Sequence, residues 1–173
     1  MARRPAPTEY PNWFDRYVRL VEDVDDVAEA LARQIDETMA FYRDIPEDRT
    51  SVSPAPGKWT LKEVLGHMSD TERVMQYRAL GVARGDKAAF PPFEQDDYAK
   101  TSGHGARAWA SLLDEFKCVR GSTIHLFRHL DDAALDRVGT VSQQPATARA
   151  LGYVILGHER HHLAILKDRY VKP

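Results

Sequence analysis

The sequence predicts an all-α fold, a four-helix bundle with one long crossover connection. Three observations carry that expectation. Four segments of the 173 residues repeat apolar side chains at helical spacing. Two of their connections are short and one, residues 85–105, is long and irregular. The apolar spacing also drifts as in a straight helix instead of holding a strict heptad, which argues against a coiled coil.

The first helix is expected from about Asp25 to Arg43, with Val24, Val27, Ala28, Leu31, Ile35, Thr38, Met39 and Tyr42 on one face. Asp23 is the expected N-cap, and Asp26 adds acidity to the first turn. Pro46 and the run Ser51 to Gly57 then break the chain. Thr60-Leu61-Lys62-Glu63 forms a capping box that opens the second helix, which Gly85-Asp86 closes after Arg84. The long segment that follows carries Pro91, Pro92, Phe93, Asp96, Asp97 and Tyr98, and loops of this length are usually functional lids or crossovers. The third helix is expected over Ala106 to Leu130 and the fourth from Thr147 to Tyr170. Val138 to Gln144 between them reads as loop or short strand. Trp13, Phe14 and Tyr17 are expected to pack an N-terminal arm, about residues 1–22, across the bundle. Residues 1–173 read as a single domain.

Hydrophobic residues make up 43% and charged residues 29%, the balance of a soluble globular protein, and the formal net charge is −2. That balance gives no electrostatic footprint for nucleic acid. No apolar run approaches the roughly 20 residues that span a bilayer. The opening Met1-Ala2-Arg3-Arg4-Pro5 leads into no apolar stretch, so it does not read as a secretory signal, and a cytoplasmic location is expected. Cys118, the one cysteine, excludes an internal disulfide and a multi-cysteine zinc site.

The histidines carry the chemistry. Projected at about 100° per residue, Leu151, Val154, Ile155, His162, Ile165 and Leu166 all fall within roughly 80° of His158. His158 and His162 therefore share the centre of the apolar face, one turn apart. Two imidazoles in a bundle core each need a hydrogen-bond partner or cost free energy, and a shared metal ion satisfies both. On the second helix His67 stands at the edge of the apolar face, beside Thr71, Val74 and Arg78. Three neutral imidazoles from two helices would bind one divalent ion and leave coordination positions open. The run His158-Glu159-Arg160-His161-His162 also matches the metalloprotease pattern His-Glu-x-x-His. Downstream of it, however, Asp168 is the one residue of ligand type.

At these residues the chain resembles the DinB/YfiT-like superfamily of His-triad metal-binding bundles. The resemblance rests on Gly57-Lys58-Trp59-Thr60, on Leu61 to His67, on Asp70-Thr71-Glu72-Arg73, on Tyr77-Arg78-Ala79-Leu80, on Phe93 to Tyr98 and on Gly157 to His162. It implies an up-down-down-up bundle, a homodimer, and one divalent ion held by His67, His158 and His162. The ion it implies is zinc or nickel, with iron or manganese as alternatives. Members of the family include transferases of low-molecular-weight thiols such as bacillithiol, mycothiol or glutathione.

Three further residues are weaker catalytic candidates. Glu159 could serve as general base for bound water. Asp70, like Glu63, lies on the His67 side of its helix and could orient that imidazole, or simply face solvent. Arg78 reads either as surface charge or as the receiver of an anionic substrate group. Glu72 falls on the apolar arc and needs a partner, for which Arg120 on the third helix is suited. His104, His125 and His129 have no matching partners. Three functions remain open: a thiol transferase acting on a small electrophile, a metal-dependent hydrolase, and a non-enzymatic, metal-stabilised binding or stress-response module.

Overall fold

Two turns of 3-10 helix and α1 (Asp15–Val18) carry the N-terminal arm, and a third 3-10 turn, Arg19–Val21, leads it to the bundle. The computed structural model describes residues 3–170, and of Arg169 the backbone alone. Asp26 caps α2 (Val27–Arg43) by accepting from the Glu29 amide. The helix thus starts later than expected, and Asp23 is no cap. Val21 and Val24 are buried with the arm, the Val24 carbonyl accepts from Tyr153, and Asp23 pairs with Arg160. That backbone is committed to the arm before the helix begins.

After α3 (Glu47–Thr50), α4 (Leu61–Arg84) opens on the Thr60–Glu63 capping box and closes on Gly85 at φ 78°. The crossover is more ordered than expected. It contains β1 (Ala89–Phe90), α5 (Gln95–Thr101) and a 3-10 turn at His104–Ala106. Next come α6 (Trp109–Arg128), whose first amide is capped by the Glu47 carboxylate, and α7 (Asp132–Leu135). β2 (Val138–Val141) and β3 (Gln144–Thr147) form a hairpin, and β1 pairs in parallel with β2, Ala89 opposite Thr140. Thr147 then caps α8 (Ala148–Arg169).

Val27 and Phe127 meet at Gly152 at one end of the bundle. Tyr42, Leu61, Trp109 and Leu166 pack together at the other. The chain therefore runs up α2, down α4 and α6, and up α8, with α4 packed between α6 and α8. The apolar core falls into two clusters at these ends, and the inward-facing polar side chains lie between them. Among the described residues no helix is long and apolar enough to cross a membrane.

Candidate metal centre

His67 lies two turns into α4, and His158 and His162 lie one turn apart in α8. Glycine precedes two of them, and in both places another part of the chain closes on the helix. A Cβ on Gly66 would lie 2.1 Å from the His104 ring, and one on Gly157 would lie 2.0 Å from the Tyr17 carbonyl. The Tyr17 ring then stands edge-on to His158 at 5.3 Å, and Trp59 covers His67 at 4.8 Å. Missing side chains thus let the arm close over His158 and the crossover pack against α4 beside His67, while Trp59, just before α4, covers the His67 ring.

The three imidazoles converge. His158 Nε2 is 3.1 Å from His67 Nε2 and 3.2 Å from His162 Nε2. One ligand atom from each of the three lies within 4.8 Å of the others. His67 and His158 are buried and His162 is half-buried. Burial lowers the pKa of His67 to about 4, against a smaller opposing pull from Asp70. Burial, with His67, His161 and Arg16 nearby, lowers that of His162 to about 3. His158 is pushed well below its ordinary value by burial and by its two partners. All three rings are therefore neutral at pH 7 and present lone pairs.

These residues fit a divalent ion. An imidazole Nε2 offers one in-plane site, a proton or a lone pair, so His158 Nε2 cannot form a good hydrogen bond to both neighbours at once, whereas one ion can accept a lone pair from each ring. Two nitrogens at about 2.0–2.1 Å from one ion lie about 2.9 Å apart at a right angle and about 3.3 Å apart at a tetrahedral angle. The two separations at His158, 3.1 and 3.2 Å, fall between these, and His67 and His162 complete a set whose ligand atoms lie within 4.8 Å of one another. The remaining nitrogen of His67, Nδ1, lies 3.4 Å from the Thr71 hydroxyl, the kind of outer partner that fixes a ligand imidazole.

Glu159, Glu72, Asp70 and Glu63, the acids nearest the histidines along their helices, are engaged elsewhere. Glu159 turns away from the histidines and accepts from Arg120 at 2.5 Å and from Thr38. Arg120 also forks onto Glu72 with two bonds of 2.8 Å, so the pair expected from the sequence is one side of a buried three-residue network. Burial alone would lower the Arg120 pKa, but Glu159 and Glu72 outweigh it and raise it. Burial raises the Glu159 pKa against the pull of Arg120. Asp70 bonds His104 at 3.0 Å and Arg73 at 3.3 Å, and Glu63 serves the α4 cap; neither is hydrogen-bonded to His67. Arg78 is no surface charge: it is 3% exposed and donates to the Pro91 carbonyl at 2.5 Å. His104, which looked ordinary in the sequence, is buried with its Nδ1 unpartnered. Cys118 is exposed.

Residues 30–166 match the DinB superfamily. No curated protein matches the chain in sequence. Among solved structures it is similar to YfiT from Bacillus subtilis, described as a probable metal-dependent hydrolase with an unusual four-helix bundle topology. That likeness has a TM-score of 0.69 at 15% identity, over 96% of this chain and 90% of the other, and shows the fold. With most of its length matched, this chain belongs to the DinB superfamily.

Proposed function

We propose that His67, His158 and His162 hold one divalent ion, zinc or nickel in the first instance, and that the protein uses it to transfer a low-molecular-weight thiol to a small electrophile. The convergence of three neutral Nε2 atoms supports the metal. A dication there supplies Lewis acidity, favouring the deprotonated form of a thiol or of water at neutral pH. His67 and His158 bring the ligand set inside the bundle, and Tyr17 and Trp59 shield it from bulk solvent.

The positions of Glu159, Glu72 and Asp70 favour thiol transfer. Water attack benefits from a nearby general base. Glu159 and Glu72 are held by Arg120, and Asp70 is held by His104 and Arg73. A thiol, with an ordinary pKa of about 8.5 against about 15.7 for water, would need less help from such a base beside an ion held there.

A metal-dependent hydrolase is the second reading. It draws support from the description of YfiT, and Asp96, whose charge pulls the His67 pKa upward, is the acid it would call on as base. The test compares zinc-loaded protein with and without added thiol on a panel of electrophiles and esters. Thiol-dependent turnover that survives Asp96→Asn supports transfer. Thiol-independent ester cleavage that falls with Asp96→Asn overturns it in favour of hydrolysis. A small-molecule substrate, a cytoplasmic location and a homodimer belong to the same proposal.

A further inference from the structure

Beside His158 lies a cavity of about 260 Å³, walled by Phe14 and Tyr17 of the arm, Thr71 and Met75 of α4, and Phe93 of the crossover. Its electrostatics are lopsided. Arg16 lines it and has no carboxylate within 4.0 Å among the described residues; its guanidinium donates to the Tyr17 hydroxyl at 2.8 Å and lies 4.6 Å from that ring. Immediately behind Met75 and Phe93 stands Arg78, bonded to the Met75 sulfur at 3.5 Å and 5.6 Å from the Phe93 ring.

Arg78 is the anomaly. Buried arginines are almost always paired with an acid, as Arg120 is here with two. Arg78 is 97% buried, yet its partners are a carbonyl, a thioether and one aromatic ring, with no carboxylate among the described residues. Its full charge therefore acts on its surroundings with little screening. The carboxylate that does line the cavity, Glu94, is exposed.

We propose that this cavity binds a small substrate carrying an oxyanion, a carboxylate or a phosphate, held by Arg16 and by the buried charge of Arg78, with the reacting end at the histidine cluster. Guanidinium groups suit both anions, because their forked donors match two oxygens at once. The apolar walls suit an organic body between the two ends. The assignment of the reacting end rests on the metal reading; that of the charged end does not.

The full chain, free of metal, is titrated at low ionic strength with inorganic phosphate, with succinate and with uncharged succinamide, using calorimetry. The zinc affinity of the same samples is measured separately by chelator competition. Saturable binding of phosphate or succinate but not succinamide is expected, and the stronger of the two names the anion. Arg16→Gln should weaken it about tenfold, the loss of one charge-assisted contact. Glu94→Gln should tighten it. Both side chains are exposed, so these variants test the site even if Arg78→Gln fails to fold. Absence of saturable anion binding, equal binding of succinamide, or affinities unmoved by Arg16→Gln would overturn the proposal. Zinc binding without anion binding would sink this assignment and spare the metal centre. Anion binding without zinc binding would do the reverse.

Discussion

Arg120 is the residue on which the bundle interior turns. It pairs with two carboxylates that are 4% and 2% exposed, Glu72 and Glu159. Arg120→Met removes the cation and leaves both acids buried, so urea unfolding is expected to show a loss of about 3–5 kcal/mol. A loss below about 1 kcal/mol would contradict the description of the network. The Glu72–Arg120 half was legible in the sequence, because both residues fall on apolar arcs and a buried charge requires an opposite one. Glu159 was misleading. Its neighbour His158 and the His-Glu-x-x-His spacing suggested a catalytic base, yet one residue of α-helix is a turn of about 100°, enough to aim its carboxylate at Arg120 and Thr38. The burial of Arg78 was hidden for a different reason. It depends on where the crossover lies, and nothing local to Arg78 encodes the Pro91 carbonyl above it.

Among the elements, the arm and α8 are the pair that forms the roof of the site. Gly157→Ala places a methyl against the Tyr17 carbonyl, 2.0 Å away in the present geometry. Backbone has to move, at a cost of about 1–3 kcal/mol. Thermal denaturation should register that loss, and the Tyr17 ring should leave His158, seen as altered His158 ring shifts by NMR; an unchanged midpoint would contradict the close approach. Glu115 is a further tie between α4 and α6, accepting from Arg73 at 2.7 Å and also from Arg107. Burial raises its pKa, but the two arginines outweigh it and hold the carboxyl below the ordinary value. A lowered folded pKa contributes stability above the ordinary carboxylate range, and that stability is lost as pH falls through the folded value. The stability gap between the wild type and Glu115→Gln, under about 1 kcal/mol for so exposed a tie, should be present at pH 7 and vanish toward pH 3. A gap independent of pH would contradict it. The long helices were legible from periodicity and from the Thr60 box, which survive whatever packs around them. The sheet was not. Its strands are two to four residues long, and the β2–β3 turn places Ser142 and Gln143 at φ 50° and 65° without the glycine or asparagine that usually marks such a turn.

At the scale of the whole molecule, the up-down-down-up course of the chain brings α4 and α8 together, so that residues 91 positions apart share one centre. The convergence of the three histidines was legible because His158 and His162 occupy the middle of an apolar face, where a bundle otherwise places leucines. The roof over it, made by Tyr17 and Trp59, required the fold. If the protein is the homodimer proposed, light scattering should return about twice 19.6 kDa, and a single-chain mass would refute that part. The most direct test of the centre is elemental analysis of the protein purified without added metal, beside a His158→Ala/His162→Ala variant of the same preparation. One equivalent of a divalent transition metal in the wild type and almost none in a folded variant is the expected result. Equal metal content in the two, or a wild type that neither carries nor takes up such an ion, would contradict it.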